Sequence, residues 1–204
     1  MKDNVRLIFK YFRFNIDGFL SYLTTVTMLL TVLLVVSVGS NYQIENVEAQ
    51  STNISSFSEL FGKGNSLGNL GKYEEAISWY DKALEADPNN VDALYNKGVA
   101  LDNLGRYQEA ISWYDKALQV HSNDVDALNN KGTALHHLGR YEEALSWYDK
   151  ALEIDRNDVD AIYNKGLALV YLHKKQDALA LLDNALTIDP NNQRVLDLKS
   201  RLQE

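Results

Sequence analysis

A six-residue segment, Trp-Tyr-Asp-Lys-Ala-Leu, occurs three times in this chain, beginning at Trp79, Trp113 and Trp147. Each copy begins 34 residues after the one before it. This period is too long for a coiled-coil heptad and too short for a domain, so it marks one supersecondary unit repeated head to tail. Such units stack on their neighbours and build an extended surface rather than a closed cavity, which favours the binding of a partner.

Each repeat contains two helical patterns separated by a turn. In the second unit, Leu94, Leu101 and Leu104 recur at helical spacing and end at Gly105, which suits the left-handed position after a helix. Paired acidic residues open the following helix in the first and third units, and a lysine such as Lys116 stands near its end; both complement the helix dipole. The predicted helix–turn–helix units cover residues 57–90, 91–124, 125–158 and 159–192.

Small residues recur where the two helices of a unit are expected to touch. We expect the first-helix glycines to pack on second-helix alanines, so that the two backbones approach closely. The tyrosine of the repeated segment is expected to fill the gap between one unit and the next. The glycines are Gly64, Gly98, Gly132 and Gly166, the alanines Ala76, Ala110, Ala144 and Ala178, and the tyrosines Tyr80, Tyr114 and Tyr148.

This pattern closely resembles the tetratricopeptide repeat (TPR) over residues 57–192. In the second unit the matching residues are Leu94, Gly98, Leu101, Ala110, Tyr114 and Ala117. The resemblance implies an all-α fold, an α-solenoid of four helix–turn–helix units. Lysine stands at unit position 7, which is usually apolar in the family, and we expect its stem to pack while the ammonium reaches water. These lysines are Lys63, Lys97, Lys131 and Lys165.

Residues 193–204 read as one further helix with a polar outer face, which predicts a capping helix at the end of the array. Its apolar side is expected at Val195, Leu196 and Leu202, with Lys199 between them. We expect this side to cover the second helix of the fourth unit, around Leu181 and Leu182.

A separate hydrophobic helix is predicted before the repeats. No charged residue lies between Gly18 and Ile44, and residues 18–39 can span the roughly 30 Å of a bilayer core. Residues 1–17 carry four basic side chains, which predicts a basic cytoplasmic segment, a single-pass membrane topology and repeats outside the cytoplasm. The helix is either an uncleaved anchor or a secretory signal cleaved after Ala49, which would leave a secreted protein. Polar residues 40–56 are predicted to be a flexible tether.

The charge distribution bears on the class of partner. The chain has a formal charge of −8, and because residues 1–40 contribute +2, the remainder carries −10. A stack this acidic should repel nucleic acid phosphates. The sequence has no cysteine, no phosphate-binding loop and no nucleophile motif. His136 and His137 diverge on a helix and cannot easily chelate one metal. We therefore expect no catalysis, no cofactor and no metal.

The resemblance implies that the first helices line a concave groove, through unit positions 2, 5, 6, 9, 12 and 13. The second and third units are identical at 24 of 34 positions, and four of the ten differences fall at positions 5, 9, 12 and 13. This pattern is expected if the groove residues of each unit are free to change for binding. It is also expected if any exposed position simply accumulates substitutions. The predicted peptide-binding residues are Tyr95, Asn96, Val99, Asn130, Tyr163, Asn164, Leu167 and Tyr171.

Two rows of polar residues in this groove have alternative roles. Asn96, Asn130 and Asn164 recur at position 6, where amides could hold an extended peptide backbone. Asparagine is also common there in the family, so a structural role stays open. Asp92, Asp126 and Asp160 recur at position 2, and helix N-terminal charge stabilisation is their preferred interpretation over binding.

Two functions follow from the sequence. The preferred one is a membrane-tethered, non-cytoplasmic scaffold or adaptor that binds a peptide or protein in the groove. The alternative is a structural module that mediates self-association or envelope assembly through its ends and convex side.

Overall fold

The computed structural model describes residues 56–204, and these form helices joined by short turns, without a strand among them. The predicted segments 1–17 and 18–39, and the tether up to residue 55, lie outside the described residues. Residue 56, placed in the tether, is helical. The helices are α1 (56–69), α2 (Tyr73–Ala86), α3 (Val91–Asn103), α4 (Tyr107–Val120), α5 (Val125–His137), α6 (Tyr141–Ile154), α7 (Val159–Tyr171), α8 (Lys175–Ile188) and α9 (Gln193–Gln203). Within residues 56–204 no helix has the length and apolar character needed to cross a membrane.

Successive helices pack as antiparallel neighbours along the chain, from α2 against α3 to α8 against α9. The predicted all-α solenoid with a C-terminal helix is therefore confirmed. First helices also contact one another across units, α3 with α5 and α5 with α7, whereas contact between successive second helices is weaker or absent. Because the first helices lie closer together, the array curves with α3, α5 and α7 on its inner side.

The helix ends follow the turn chemistry of the sequence. The side chains of Asn90 and Asp124 accept hydrogen bonds from the backbone N–H of Ala93 and Ala127, which caps α3 and α5. The second residue after each first helix is left-handed, with φ of 73° at Gly105. His173 takes this position in the fourth unit with φ of 59°, a conformation that costs a non-glycine residue energy.

The repeated tyrosine packs on the glycine of its own unit, a contact that was not predicted, while in the fourth unit Gly166 also lies near the backbone of Ala178. A Cβ atom added to Gly98 would lie 2.6 Å from Cε1 of Tyr114, so only glycine leaves room for the ring. Tyr80 also packs with Ala100 of the following unit, so the tyrosine fills space both within and between units. In the fourth unit Leu182 replaces the tyrosine, and a Cβ atom added to Gly166 would lie 3.4 Å from its Cδ2 atom.

The lysine at unit position 7 is buried in the second and third units, which corrects the prediction that its ammonium reaches water there, whereas the side chain of Lys63 in the first unit is 47% exposed as predicted. Lys97 is 7% exposed and pairs with Asp81 of the preceding unit. Its ammonium also lies 3.7 Å from the ring centroid of Trp113 in its own unit. The ammonium leaves water because an anion and an aromatic face replace its hydration. The equivalent ion pairs are Lys131–Asp115, Lys165–Asp149 and Lys199–Asp183.

The C-terminal helix α9 covers the fourth unit as predicted, although one of its contact residues differs. Val195 and Leu198 are buried against Ile162 and Leu182, with Leu181 and Leu202 at the edge of the same cluster. Leu196 is 38% exposed. The buried face follows the spacing of residues 195, 198 and 202, which places Leu196 on the other side of the helix.

The contact between tyrosine and glycine gives opposite expectations for one substitution at two equivalent positions. Gly98→Ala should destabilise the protein by about 1–3 kcal/mol, because the buried Tyr114 ring has nowhere to move. Gly166→Ala should be neutral or stabilise by about 0.5–1 kcal/mol, because its Cβ meets ordinary contact distances and alanine favours a helix. Urea denaturation of the two variants measures both, and equal losses would contradict the assigned contact.

Candidate functional site

The inner side of the array presents one continuous face, which we call the first-helix face. It is made by the side chains at unit positions 2, 5, 6, 9, 12 and 13 of α1, α3, α5 and α7. All eight predicted groove residues lie on it and each is at least partly exposed. Tyr171 is the most open of them at 52%. The structure therefore brings the predicted residues together on one surface.

The asparagine row joins neighbouring first helices. Asn96 Nδ2 donates to Asn65 Oδ1 at 3.1 Å, and Asn130 Nδ2 donates to Tyr95 Oη at 2.8 Å. Asn164 Nδ2 donates in the same way to Asn129 Oδ1 at 3.1 Å. These bonds give the row a structural role, and they leave the amide carbonyl oxygens for a ligand.

One predicted groove residue is covered by the capping helix. The Arg194 guanidinium of α9 lies 4.5 Å from the ring centroid of Tyr163 and forms a salt bridge of 3.0 Å with Asp160. Sequence reasoning missed this contact. The signal was present, since Arg194 stands in α9 at the position where units two to four have aspartate.

An aromatic cluster lies at the end of the first-helix face near the turns. The His137 ring stacks on Tyr107 with 4.7 Å between centroids, and His136 meets Tyr141 and Tyr171 edge-on at 5.0 Å each. Burial lowers the pKa of His136, and the neighbouring His137 lowers it further. The two histidines thus belong to different aromatic contacts. Among residues 56–204 no group of three or more His, Cys, Asp or Glu side chains is placed to hold a metal ion.

The buried tyrosines differ in how their hydroxyl groups are satisfied. Tyr80 donates to Asn65 at 2.9 Å, and Tyr148 donates to Thr133 at 3.4 Å; both acceptors stand at unit position 9. In the second unit that position is Val99, which offers no acceptor. The hydroxyl of Tyr114 is accordingly buried without a hydrogen-bond partner in the described part of the chain. An unmade bond of this kind costs about 1–3 kcal/mol.

Asp102 is a second unsatisfied group on the same helix. Its Oδ1 atom is buried without a hydrogen-bond partner among residues 56–204, although the side chain as a whole is half-buried. Burial raises the pKa of Asp102, and the nearby His137 partly offsets this effect. The Asp102 carboxylate in turn adds to the rise that burial produces in the pKa of Tyr114. The electrostatic neighbour of Asp102 is thus His137 rather than His136.

A curved array of helix pairs with a half-exposed inner face is a helical-repeat scaffold, and comparison with known families identifies its type. Models of the tetratricopeptide repeat match residues 61–124, 125–158 and 159–192. The chain belongs to the tetratricopeptide repeat family. The family and its fold are typical of non-enzymatic scaffolds that bind protein or peptide partners.

Solved structures share this architecture. YrrB, described as a TPR protein with an unusual peptide-binding site, is 32% identical over 72% of this chain and 76% of its own, with a TM-score of 0.65. PilF of Pseudomonas aeruginosa is 25% identical over 74% of this chain and 69% of its own, with a TM-score of 0.67. MamA of Desulfovibrio magneticus RS-1, at 24% identity, covers 72% of this chain and 84% of its own, with a TM-score of 0.68, and shows the fold alone. No curated protein sequence matches this chain.

The buried carboxylate makes stability depend on pH in a specific direction. Because the pKa of Asp102 is raised in the folded state, its ionised form costs stability at neutral pH, whereas below about pH 4 the carboxyl is neutral in both states. Asp102→Asn should therefore raise the melting temperature at pH 7, and the gain should shrink as the pH falls towards 4.

Thermal unfolding followed by circular dichroism at several pH values measures this difference. Asp92→Asn is the matched control, since Asp92 is exposed in the first turn of the same helix, where a carboxylate is favourable. It should leave the melting temperature unchanged or lower it. A loss of stability in Asp102→Asn at pH 7 would show that the carboxylate has a partner.

Proposed function

We propose that this protein is a membrane-tethered TPR adaptor whose repeats lie outside the cytoplasm and bind a peptide or protein on the first-helix face. The observation that carries the binding role is the location of the differences between the second and third units. Four of the ten fall on this face, and they replace Tyr95 with Asn129, Val99 with Thr133, Asp102 with His136 and Asn103 with His137. Buried packing positions are copied apart from the conservative exchange of Ile111 for Leu145, whereas the partly exposed inner face changes its chemistry.

The surface composition also supports a peptide or protein ligand. Val99, Tyr163 and Leu167 make the face partly apolar, and the amide carbonyls of the asparagine row provide acceptors for an extended backbone. YrrB carries a peptide-binding site on the same architecture at 32% identity. We extend peptide binding from that protein to this one as part of the proposal. Catalysis, a cofactor and a metal form no part of the proposed role.

The membrane tether rests on the sequence of residues 1–56. Twenty or more uncharged residues lie between a basic segment, 1–17, and the first acids at Glu45 and Glu48. That order favours a cytoplasmic N-terminus and translocated repeats. The alternative is cleavage after Ala49, which would release the repeats as a secreted protein.

Single-cysteine labelling tests location and binding face together, because the natural sequence contains no cysteine. Asn103→Cys and Tyr171→Cys place a thiol at exposed positions of the first-helix face, and Ser112→Cys and Ser146→Cys place one on exposed second-helix positions. A membrane-impermeant maleimide should label the two serine-site variants in intact cells. The two first-helix variants should be shielded in cells and become reactive in the purified full-length protein.

Three results would contradict parts of this proposal. Labelling of the serine-site variants only after lysis would place the repeats in the cytoplasm. Shielding at the serine sites instead of the first-helix sites would move the interface, as self-association through the convex side requires. Mass spectrometry of the same samples identifies the mature N-terminus, and a peptide starting near Gln50 would replace the anchor by a cleaved signal.

A further inference from the structure

The second unit combines residues at positions 9 and 24 that no other unit combines. The first and third units pair a polar residue with tyrosine, Asn65 with Tyr80 and Thr133 with Tyr148. The fourth unit pairs two apolar residues, Leu167 and Leu182. Only in the second unit does a tyrosine hydroxyl, that of the fully buried Tyr114, face an apolar side chain at Val99. The hydroxyls of Tyr80 and Tyr148 bond residues at unit position 9, which belongs to the first-helix face, so we infer that the Tyr114 hydroxyl is directed to that face as well.

Asp102 adds a carboxylate at the same place. Residues 99 and 102 are three apart on α3 and are therefore neighbours on one side of that helix. The covered Oδ1 of Asp102 and the Tyr114 hydroxyl both lack hydrogen-bond partners in the described part of the chain. Val99 packs against the cluster that contains Tyr114, and Val99 and Asp102 are both half-buried on the first-helix face.

The cations near this face are already engaged elsewhere. Lys97 and Lys131 are paired with Asp81 and Asp115 of their preceding units. His137 stacks on Tyr107 and only partly offsets the effect of burial on the pKa of Asp102, without a hydrogen bond to its carboxylate. The Nδ1 atom of His136 is buried without a hydrogen-bond partner among residues 56–204, and burial lowers the pKa of this imidazole, which disfavours its charged form. A half-buried carboxylate without a cation calls for one from outside, because burial removes the water that would otherwise stabilise its charge.

The fourth unit shows how this face receives a basic side chain. Arg194 of α9 places its guanidinium over Tyr163 and pairs with Asp160. An aspartate and a tyrosine from a first helix thus hold a guanidinium on the first-helix face. The second unit offers a carboxylate at Asp102 as well, but its Tyr114 ring is fully buried and contributes only a hydroxyl, while the aromatic surface comes from the Tyr107–His137 stack.

We propose that the second unit holds a subsite for a basic side chain, lysine or arginine, at Asp102 and Tyr114. The proposal rests on the proposed function, in which the first-helix face binds a peptide. The cationic group binds the Asp102 carboxylate and provides the Tyr114 hydroxyl with a polar neighbour. The side-chain stem lies along Val99, and the neighbouring residues of the peptide occupy the asparagine row. The bound partner is thus a protein segment with a lysine or arginine at one fixed position.

A positional-scanning library of short N-acetylated peptides tests the subsite on the purified full-length protein. Arginine or lysine should be selected at one position, and replacing that residue with citrulline, which has the shape of arginine without its charge, should weaken binding about tenfold or more. Asp102→Asn should remove the difference between arginine and citrulline while binding of the citrulline peptide is kept. Val99→Thr, which gives Tyr114 the partner that Thr133 gives Tyr148, should reduce the difference.

The outcomes separate the subsite from the function on which it rests. Peptide binding with equal affinity for arginine and citrulline would overturn the subsite and leave the peptide-binding function standing. A preference for arginine that survives Asp102→Asn would also overturn it. Selection of a free amino terminus over any basic side chain, in a parallel library without acetylation, would assign the cation to the peptide terminus. The absence of binding to any peptide would overturn both proposals.

Discussion

The solenoid depends on a lysine that is buried between two repeats. Lys97 and Lys131 each leave water for an aspartate of the preceding unit and the tryptophan of their own unit. A buried charge without such partners would cost several kcal/mol, so lysine, aspartate and tryptophan are required together. The repeated segment Trp-Tyr-Asp-Lys-Ala-Leu provides the partners of this buried lysine. Its aspartate binds the lysine of the next unit, its tryptophan contacts the lysine of its own unit, and its tyrosine packs on the glycine that directly follows that lysine.

This connection joins the second helix of one unit to the first helix of the next, and the first helices carry the first-helix face. Each ion pair joins a lysine of a first helix to an aspartate of the preceding second helix. Four of the ten differences between the second and third units lie on the first-helix face, and the other six lie on the second helix and the turn after it. Bonds such as that from Asn130 to Tyr95 hold the face in register across units. The chemistry of each unit can then change at positions 5, 9, 12 and 13 without disturbing the connection beneath. The three buried side-chain polar atoms without a hydrogen-bond partner among residues 56–204 depend on these varied positions: Asp102 and His136 stand at position 12, and Tyr114 lacks a partner because position 9 of its unit is Val99.

The sequence predicted the helices, the turns and the capping helix because a 34-residue period and the glycine and asparagine turn signals are local features. Burial of Lys97 was missed, because a single sequence marks lysine as a surface residue and its partner lies 16 residues away across a turn. The packing of Tyr114 on Gly98 was missed because these residues also lie far apart in the sequence, on different helices. The predicted groove residues do share one face, but the contact of Arg194 with Tyr163 depends on how α9 docks. The unsatisfied hydroxyl of Tyr114 could have been found by comparing Val99 with Asn65 and Thr133.

The central claim is that the scaffold is shared between units and that specificity lies where the first helices differ. Exchange of residues between the second and third units tests it with substitutions the chain already tolerates. Changing the second unit to the third at Tyr95→Asn, Val99→Thr, Asp102→His and Asn103→His should keep the fold and abolish binding of the partner captured by the natural protein. Changing it at the six other differing positions should leave that affinity unchanged; these changes are Gln108→Glu, Ile111→Leu, Gln119→Glu, Val120→Ile, His121→Asp and Ser122→Arg. Loss of affinity in the six-residue exchange, with binding intact in the four-residue one, would contradict the account.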